Sequence, residues 1–231
     1  MRRVKFKTHE QLAKVGSFIR LDRYDVEYPS YNVEDYGEYR EAKLVNVHRG
    51  DAVAGLLHVK RGEDDFLLLV EQFRMPTIIN ATSGMPDMDL VDQEESAGRM
   101  IELMAGTQEA GEPWMETFRR ECFEETKFQP EEIEFISSYY PSPGACSEQI
   151  HLYYGRVNVP NGTPLLEEEH EDTESYGDES EDIRRIFMTP TEFLDAIRTG
   201  RIVDGKALAA AEWMRRPGSE DIMGIKLNQG E

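Results

Sequence analysis

Three glutamates stand close together in a segment whose spacing predicts an amphipathic helix over residues 114–126. Its apolar arc consists of Trp114, Met115, Phe118 and Cys122. Glu121 and Glu125 are four residues apart, so they lie one above the other at the margin of this arc, with Glu124 beside them. Carboxylates in this arrangement repel one another, and beside an apolar surface each needs a cation or a shifted pKa.

Two kinds of cation meet that need. The guanidinium groups of Arg119 and Arg120 are available on the same helix. A hard divalent ion such as Mg²⁺ is the other choice, since it prefers oxygen ligands and binds carboxylates together with water and substrate phosphate. A charged, solvated helix face is the alternative interpretation of a glutamate-rich helix, so the carboxylates alone leave the chemistry open.

The spacing around these glutamates is more specific than the glutamates themselves. Gly106 is followed after five residues by Glu112 and, after seven more, by the run Arg120-Glu121-Cys122-Phe123-Glu124-Glu125. This pattern resembles the Nudix box, G-x5-E-x7-R-E-U-x-E-E-x-G-U, where U is a bulky apolar residue. The resemblance implies an enzyme that hydrolyses nucleoside diphosphates linked to another moiety.

Lys127 stands where the box has its second glycine, while Phe128 fits the final apolar position. We expect the helix to end there in the left-handed conformation, in which a side chain costs about 1 kcal/mol. The replacement affects the local turn and removes no metal ligand.

Other segments resemble the ADP-ribose pyrophosphatase branch of the Nudix family. They are residues 70–74 (VEQFR), 102–106 (ELMAG), 142–144 (SPG), 147–148 (SE), 178–184 (DESEDIR) and 199–206 (TGRIVDGK). Pro143, about 15 residues after the box, is a marker of that branch. The resemblance spans roughly residues 16–215.

The resemblance implies roles for individual residues. Mg²⁺, or Mn²⁺ in its place, would be held by Glu121, Glu124, Glu125, Glu181 and the carbonyl oxygen of Ala105. Glu179 would be the general base, and Glu124 is the second expected catalytic residue. The expected substrate-binding residues are Arg74, Phe18, Pro143 and Gly144. Arg74 would grip phosphate, although a surface salt bridge is an alternative role. Phe18 would stack on adenine, although a core aromatic residue fits its short motif equally well.

The expected reaction is the hydrolysis of ADP-ribose to AMP and ribose 5-phosphate. A GDP-mannose or UDP-glucose pyrophosphatase is the alternative, because the long polar stretch over residues 80–99 resembles an insertion in some nucleotide-sugar enzymes. A catalytically inactive module that senses a nucleotide belongs to another class. The presence of all three box glutamates argues against it.

Short β-rich runs predict strands over residues 18–26, 43–47, 52–59, 66–73, 100–104, 133–139, 151–157 and 183–187. Helices are predicted over 114–126, 190–198 and 206–214, and Thr189 before Pro190 has the pattern of an N-cap. This order indicates an α+β fold. The resemblance makes it a Nudix αβα sandwich with a mixed sheet over residues 43–217. An N-terminal β-region (1–42) that exchanges between the subunits of a homodimer would precede it, and a tail (218–231) would follow.

Composition excludes some classes of function and indicates a location. The 231 residues include 46 acidic and 26 basic side chains, for a net charge of −20, so binding to nucleic acid or an anionic membrane is not expected. Ten of the acids lie in residues 167–182, which predicts a solvated loop. Cys122 and Cys146 offer no disulfide framework. With neither a secretion signal nor a long apolar run, a cytoplasmic location is expected.

Overall fold

The computed structural model describes residues 3–16, 19–32, 37–79, 82–91, 96–165 and 182–224. The chain divides into two compact units. The first consists of Met1–Ala52 and Ser138–Ile150, and the second of Val53–Ser137 and His151–Glu231. The box helix and Arg74 therefore belong to the second unit, whereas Pro143 and Gly144 belong to the first.

The first unit contains a three-stranded antiparallel sheet in the order β1-β2-β3. Its strands are β1 (Lys5–Val15), β2 (Ile19–Pro29) and β3 (Tyr39–His48). Strands β2 and β3 confirm the predicted runs at 18–26 and 43–47. The sequence does not predict β1, because its residues are mostly polar and all are exposed. Cross-strand ion pairs join it to β2, including Lys7 to Glu27 at 2.7 Å.

The second sheet contains seven strands among the described residues. They are β4 (Ala52–Arg61), β5 (Asp64–Phe73), β6 (Arg99–Glu102), β7 (Met104–Thr107), β8 (Glu132–Tyr139), β9 (Ile150–Val159) and β10 (Ile183–Met188). The order is β10-β5-β4-β9-β8, with β6 paired to β5 and β7 paired to β4. The single strand predicted over 100–104 was wrong, because the chain changes partner at Leu103 and forms two strands.

Five α-helices occur in the described part of the chain: α1 (Met88–Val91), α2 (Trp114–Thr126), α3 (Pro190–Arg198), α4 (Gly205–Met214) and α5 (Ser219–Met223). A 3₁₀-helix over Met75–Ile78 follows Arg74. The three predicted helices are confirmed as α2, α3 and α4. Thr189 caps α3 in a reciprocal capping box with Glu192, as its position before Pro190 predicted. The short helices α1 and α5 lack enough periodicity to be predicted. None of the described helices is long and apolar enough to cross a membrane.

Two neighbouring tyrosines of β9 show how helices cover the seven-stranded sheet. Successive side chains of a strand point to opposite faces. Tyr153 stacks on Phe118 of α2 with ring centroids 5.2 Å apart, and Tyr154 packs against Trp213 of α4 at 5.4 Å. Helices α2 and α4 therefore lie on opposite faces of the sheet, which confirms the predicted α+β sandwich.

Candidate active site

Packing of the apolar side of α2 determines where its carboxylates lie. Phe118 and Cys122 are completely buried against the sheet. An ideal Cβ on Gly55 of β4 would lie 2.4 Å from the Phe118 ring, so a side chain there would displace that ring. The same packing draws Glu121 and Glu125 inward, to exposures of 9% and 2%. The two carboxylates therefore lie one helical turn apart beside the apolar side of α2, as the periodicity predicted, and both are buried there.

Arg120 is the cation that the described structure places among these carboxylates. Its Nε and Nη2 donate to the two oxygens of Glu112, each at 3.1 Å. Its Nη1 donates to Glu121 at 2.8 Å and to Glu124 at 2.9 Å. Hydrogen bonding from Arg120 lowers the pKa of Glu112 to about 2. Arg119 has another role, because it donates to the carbonyl oxygen of Pro130 at 2.8 Å.

The backbone of β7 passes directly against the glutamates of α2. An ideal Cβ on Gly106 would lie 1.8 Å from Glu121 Cδ and 2.0 and 2.1 Å from its oxygens, so only glycine fits while the Glu121 carboxylate occupies this position. The N–H of Ala105 donates to Glu125 Oε2 at 3.3 Å. The first glycine of the box thus allows a carboxylate to lie against the strand that carries the expected carbonyl ligand.

Lys127 ends α2 in the left-handed conformation, with a φ of 60°. The expected conformation at this position is therefore confirmed. Its Nζ folds back and donates to the carbonyl oxygen of Glu124 at 2.9 Å. The lysine thus binds a free carbonyl group at the end of the helix while its backbone takes the turn that glycine would favour.

The donors near α2 suit a hard divalent cation, because they are carboxylate oxygens and a backbone carbonyl. Among the described residues, however, no three acidic, histidine or cysteine side chains converge as a preformed metal site. Glu121 and Glu124 bind Arg120, and Glu125 binds Ala105. Each of these contacts uses one oxygen of its carboxylate, Oε1 of Glu121 and Oε2 of Glu124 and Glu125.

Arg74 lies at the exposed edge of a buried charge network that the sequence reasoning did not predict. Its Nε binds Glu102 Oε1 at 2.6 Å, and Glu102 Oε2 accepts a bond from Lys206 Nζ at 2.7 Å. Lys206 Nζ also binds Asp204 Oδ1 at 2.9 Å. The Arg74 side chain remains 40% exposed. One signal for this network was available in the sequence, because Glu102 is a lone charge in the apolar run MIELMAG.

The other expected site residues either belong to the first unit or fall outside the described residues. Phe18, Glu179 and Glu181 fall outside the described residues, as does almost all of the acidic stretch over 167–182. Pro143 and Gly144 are exposed in a turn of the first unit. They line an open groove of about 1140 Å³ in that unit, together with aromatic residues that include Tyr24 and Tyr28.

Neither cysteine belongs to the carboxylate cluster. Cys122 is completely buried, and burial raises the pKa of its thiol well above the usual value, which agrees with a packing role. Cys146 is a partly exposed free thiol in the first unit.

Comparison with known proteins agrees with this geometry. The NUDIX domain matches residues 48–211. A GDP-mannose pyrophosphatase of Yersinia enterocolitica is 30% identical over 165 residues, covering 71% of this chain and 73% of that protein. The methanol dehydrogenase activator of Bacillus methanolicus is 28% identical, with coverages of 87% and 86%. A crystal structure of an ADP compounds hydrolase superimposes with a TM-score of 0.58 at 15% identity, covering 94% of this chain and 96% of that one.

Proposed function

The chain belongs to the NUDIX domain family and is a Nudix hydrolase, and from that premise we propose that it cleaves the diphosphate of nucleotide sugars with Mg²⁺. One observation carries the proposal. The buried carboxylates of Glu121 and Glu125 lie against the backbone of Ala105 and Gly106, which is the segment that carries the expected carbonyl ligand.

The proposed metal ligands are Glu121, Glu124, Glu125, the carbonyl oxygen of Ala105 and Glu181. When bound, Mg²⁺ would neutralise diphosphate charge and make a coordinated water easier to deprotonate. Glu179 is the proposed base that accepts the proton. Arg120 supports the proposal because it orients Glu121 and Glu124 through one nitrogen while two others bind Glu112.

On the substrate side, Arg74 is the proposed phosphate-binding residue. Its contact with Glu102 uses Nε, so the two terminal nitrogens stay outside that contact and suit two phosphate oxygens. Phe18, Pro143 and Gly144 are proposed to contact the nucleoside. We also propose a homodimer, with the N-terminal β-region at the subunit interface, and a cytoplasmic location.

Two substrates stand out within this class. Resemblance to the ADP-ribose pyrophosphatase branch favours ADP-ribose, which would give AMP and ribose 5-phosphate. The name of the Yersinia relative favours GDP-mannose, which would give GMP and mannose 1-phosphate. Each reaction breaks one bond of the diphosphate and adds the elements of water.

A substrate panel tests the proposal. Purified protein with Mg²⁺ would be given ADP-ribose, GDP-mannose, UDP-glucose and a dinucleoside polyphosphate, and the products would be separated by chromatography. Fastest release of a nucleoside monophosphate from one of the three nucleotide sugars is the expected result. Turnover of the dinucleoside polyphosphate alone would refute the substrate class, and no turnover of any substrate would refute the enzymatic function.

The metal ligands need a separate test. Glu125→Gln keeps the size of the side chain but removes its charge, and we expect kcat to fall by more than about 100-fold. Glu116→Gln is the matched control, because Glu116 is an exposed residue in the first turn of the same helix. Equal activities of the two variants would refute the assignment of Glu125.

A further inference from the structure

Leu103 is the single residue between β6 and β7, at the point where the chain changes its strand partner. Residues before it pair with β5, and residues after it pair with β4. Leu103 is completely buried, so its N–H needs an acceptor within the protein. Asp204, from the segment before α4, supplies that acceptor through Oδ2 at 3.1 Å.

Asp204 makes more contacts than a helix cap requires. It caps α4 by accepting bonds from the N–H groups of Lys206 and Ala207, each at 3.2 Å. It also binds Lys206 Nζ at 2.9 Å, and that ammonium group binds Glu102 at 2.7 Å. Because Glu102 and Leu103 are adjacent in the chain, these contacts form a closed ring between α4 and the junction of β6 and β7.

The ring is buried, so water does not readily replace its members. Asp204 is 4% exposed and Glu102 is 3% exposed. Burial by itself would lower the pKa of Lys206, but the Asp204 and Glu102 carboxylates outweigh it and raise that pKa, which keeps the amine charged. The junction is therefore held by charge-assisted hydrogen bonds, which are stronger than neutral ones.

The held segment leads directly to the proposed metal site. Ala105 follows Leu103 by two residues, and its N–H binds Glu125. Gly106 comes next and lies against the Glu121 carboxylate. A shift of the backbone at Leu103 would therefore move the Ala105 carbonyl relative to both glutamates.

We propose that Asp204 is a positioning residue, which acts through the Leu103 backbone to hold the Ala105 carbonyl in place for the metal. The proposal rests on the proposed function of the same site. Asp204 itself need not touch the metal or the substrate. Outer-shell residues of metal sites commonly change metal affinity or activity by about 10- to 100-fold when they are replaced.

Asp204→Asn tests this role. The carboxylate of Asp204 has two acceptor oxygens, whereas the amide of asparagine has one. The NH₂ group of the amide would therefore face either the N–H groups of Leu103 and Ala207 or the N–H and Nζ of Lys206. Thr189→Ala is the matched control, because it also removes the N-cap of a helix. The Thr189 side chain caps α3 and binds Glu192, which is not a residue of the Nudix box. Mn²⁺ affinity would be measured by electron paramagnetic resonance without nucleotide, and kcat, KM and Tm would be measured in parallel.

We expect Asp204→Asn to weaken Mn²⁺ binding and lower kcat by about tenfold or more. Thr189→Ala should lower Tm without changing the Mn²⁺ affinity. Unchanged Mn²⁺ affinity in folded Asp204→Asn would overturn the positioning role. Should the asparagine variant not fold, Asp204→Ser keeps a helix cap with a single oxygen and carries the same expectation.

The two proposals fail in different ways. In one outcome, the wild-type protein cleaves no nucleotide sugar, but Asp204→Asn binds Mn²⁺ more weakly than wild type. This outcome would refute the proposed function and support the positioning role. Active wild-type protein with unchanged Mn²⁺ binding in Asp204→Asn would refute the positioning role alone.

Discussion

Replacement of Gly106 by alanine should damage the site by a mechanism that can be estimated from the structure. The new Cβ would lie 1.8 Å from Glu121 Cδ, whereas ordinary contacts begin at 3.4 Å, so the carboxylate must move by about 1.6 Å. That movement would strain its 2.8 Å contact with Arg120. Because a misplacement of about 1 Å can cost about 10²-fold in rate, we expect kcat to fall by about 100-fold or more.

The assay combines turnover of the preferred nucleotide sugar with Mn²⁺ affinity and thermal unfolding. Gly205→Ala is the control for a simple gain of one methyl group, because an ideal Cβ at Gly205 has no neighbouring heavy atom within 4 Å. Both variants should fold, and only Gly106→Ala should lose Mn²⁺ affinity and kcat. A Gly106→Ala protein with wild-type Mn²⁺ affinity and kcat would refute the idea that this glycine exists to admit the Glu121 carboxylate.

Two further predictions concern stability. Lys127→Gly should raise the free energy of unfolding by up to about 0.5–1 kcal/mol, because the Cβ penalty that glycine removes at this left-handed position outweighs the exposed bond from Nζ to Glu124 that it also loses. Lys127→Ala keeps the penalty and loses the bond from Nζ to Glu124, so urea denaturation should rank the glycine variant above wild type and alanine below it. Burial lowers the pKa of His58 from 6.5, although Asp65 opposes the shift. As the pH decreases, His58 therefore binds a proton in the unfolded chain before it does so in the folded protein. Below pH 6.5 the free energy of unfolding then decreases by at most about 1.4 kcal/mol per pH unit. His58→Gln should remove this contribution, and an identical slope in both proteins would contradict the reasoning.

The parts of the fold that were predicted correctly are those determined by nearby residues. Helix α2 follows from its apolar arc, and the start of α3 follows from Thr189 and Pro190. Strand β1 could not be predicted, because its exposed polar residues are ordered by pairing with β2 and carry no apolar alternation of their own. The split at Leu103 was missed for a related reason. A continuous apolar run does not show that its two halves pair with different strands.

The contacts around Arg74 could not be predicted either, because they join residues that are far apart in the sequence. Arg74 and Glu102 are 28 residues apart, and Glu102 and Lys206 are 104 apart, so no local pattern pairs them. The sequence left Arg74 with two alternative roles, a salt bridge or a phosphate contact. The geometry makes these roles compatible, because the salt bridge to buried Glu102 uses Nε alone and orients the rest of the guanidinium group. A fixed orientation lowers the entropy lost when an arginine binds phosphate, so the salt bridge favours the proposed contact and does not compete with it.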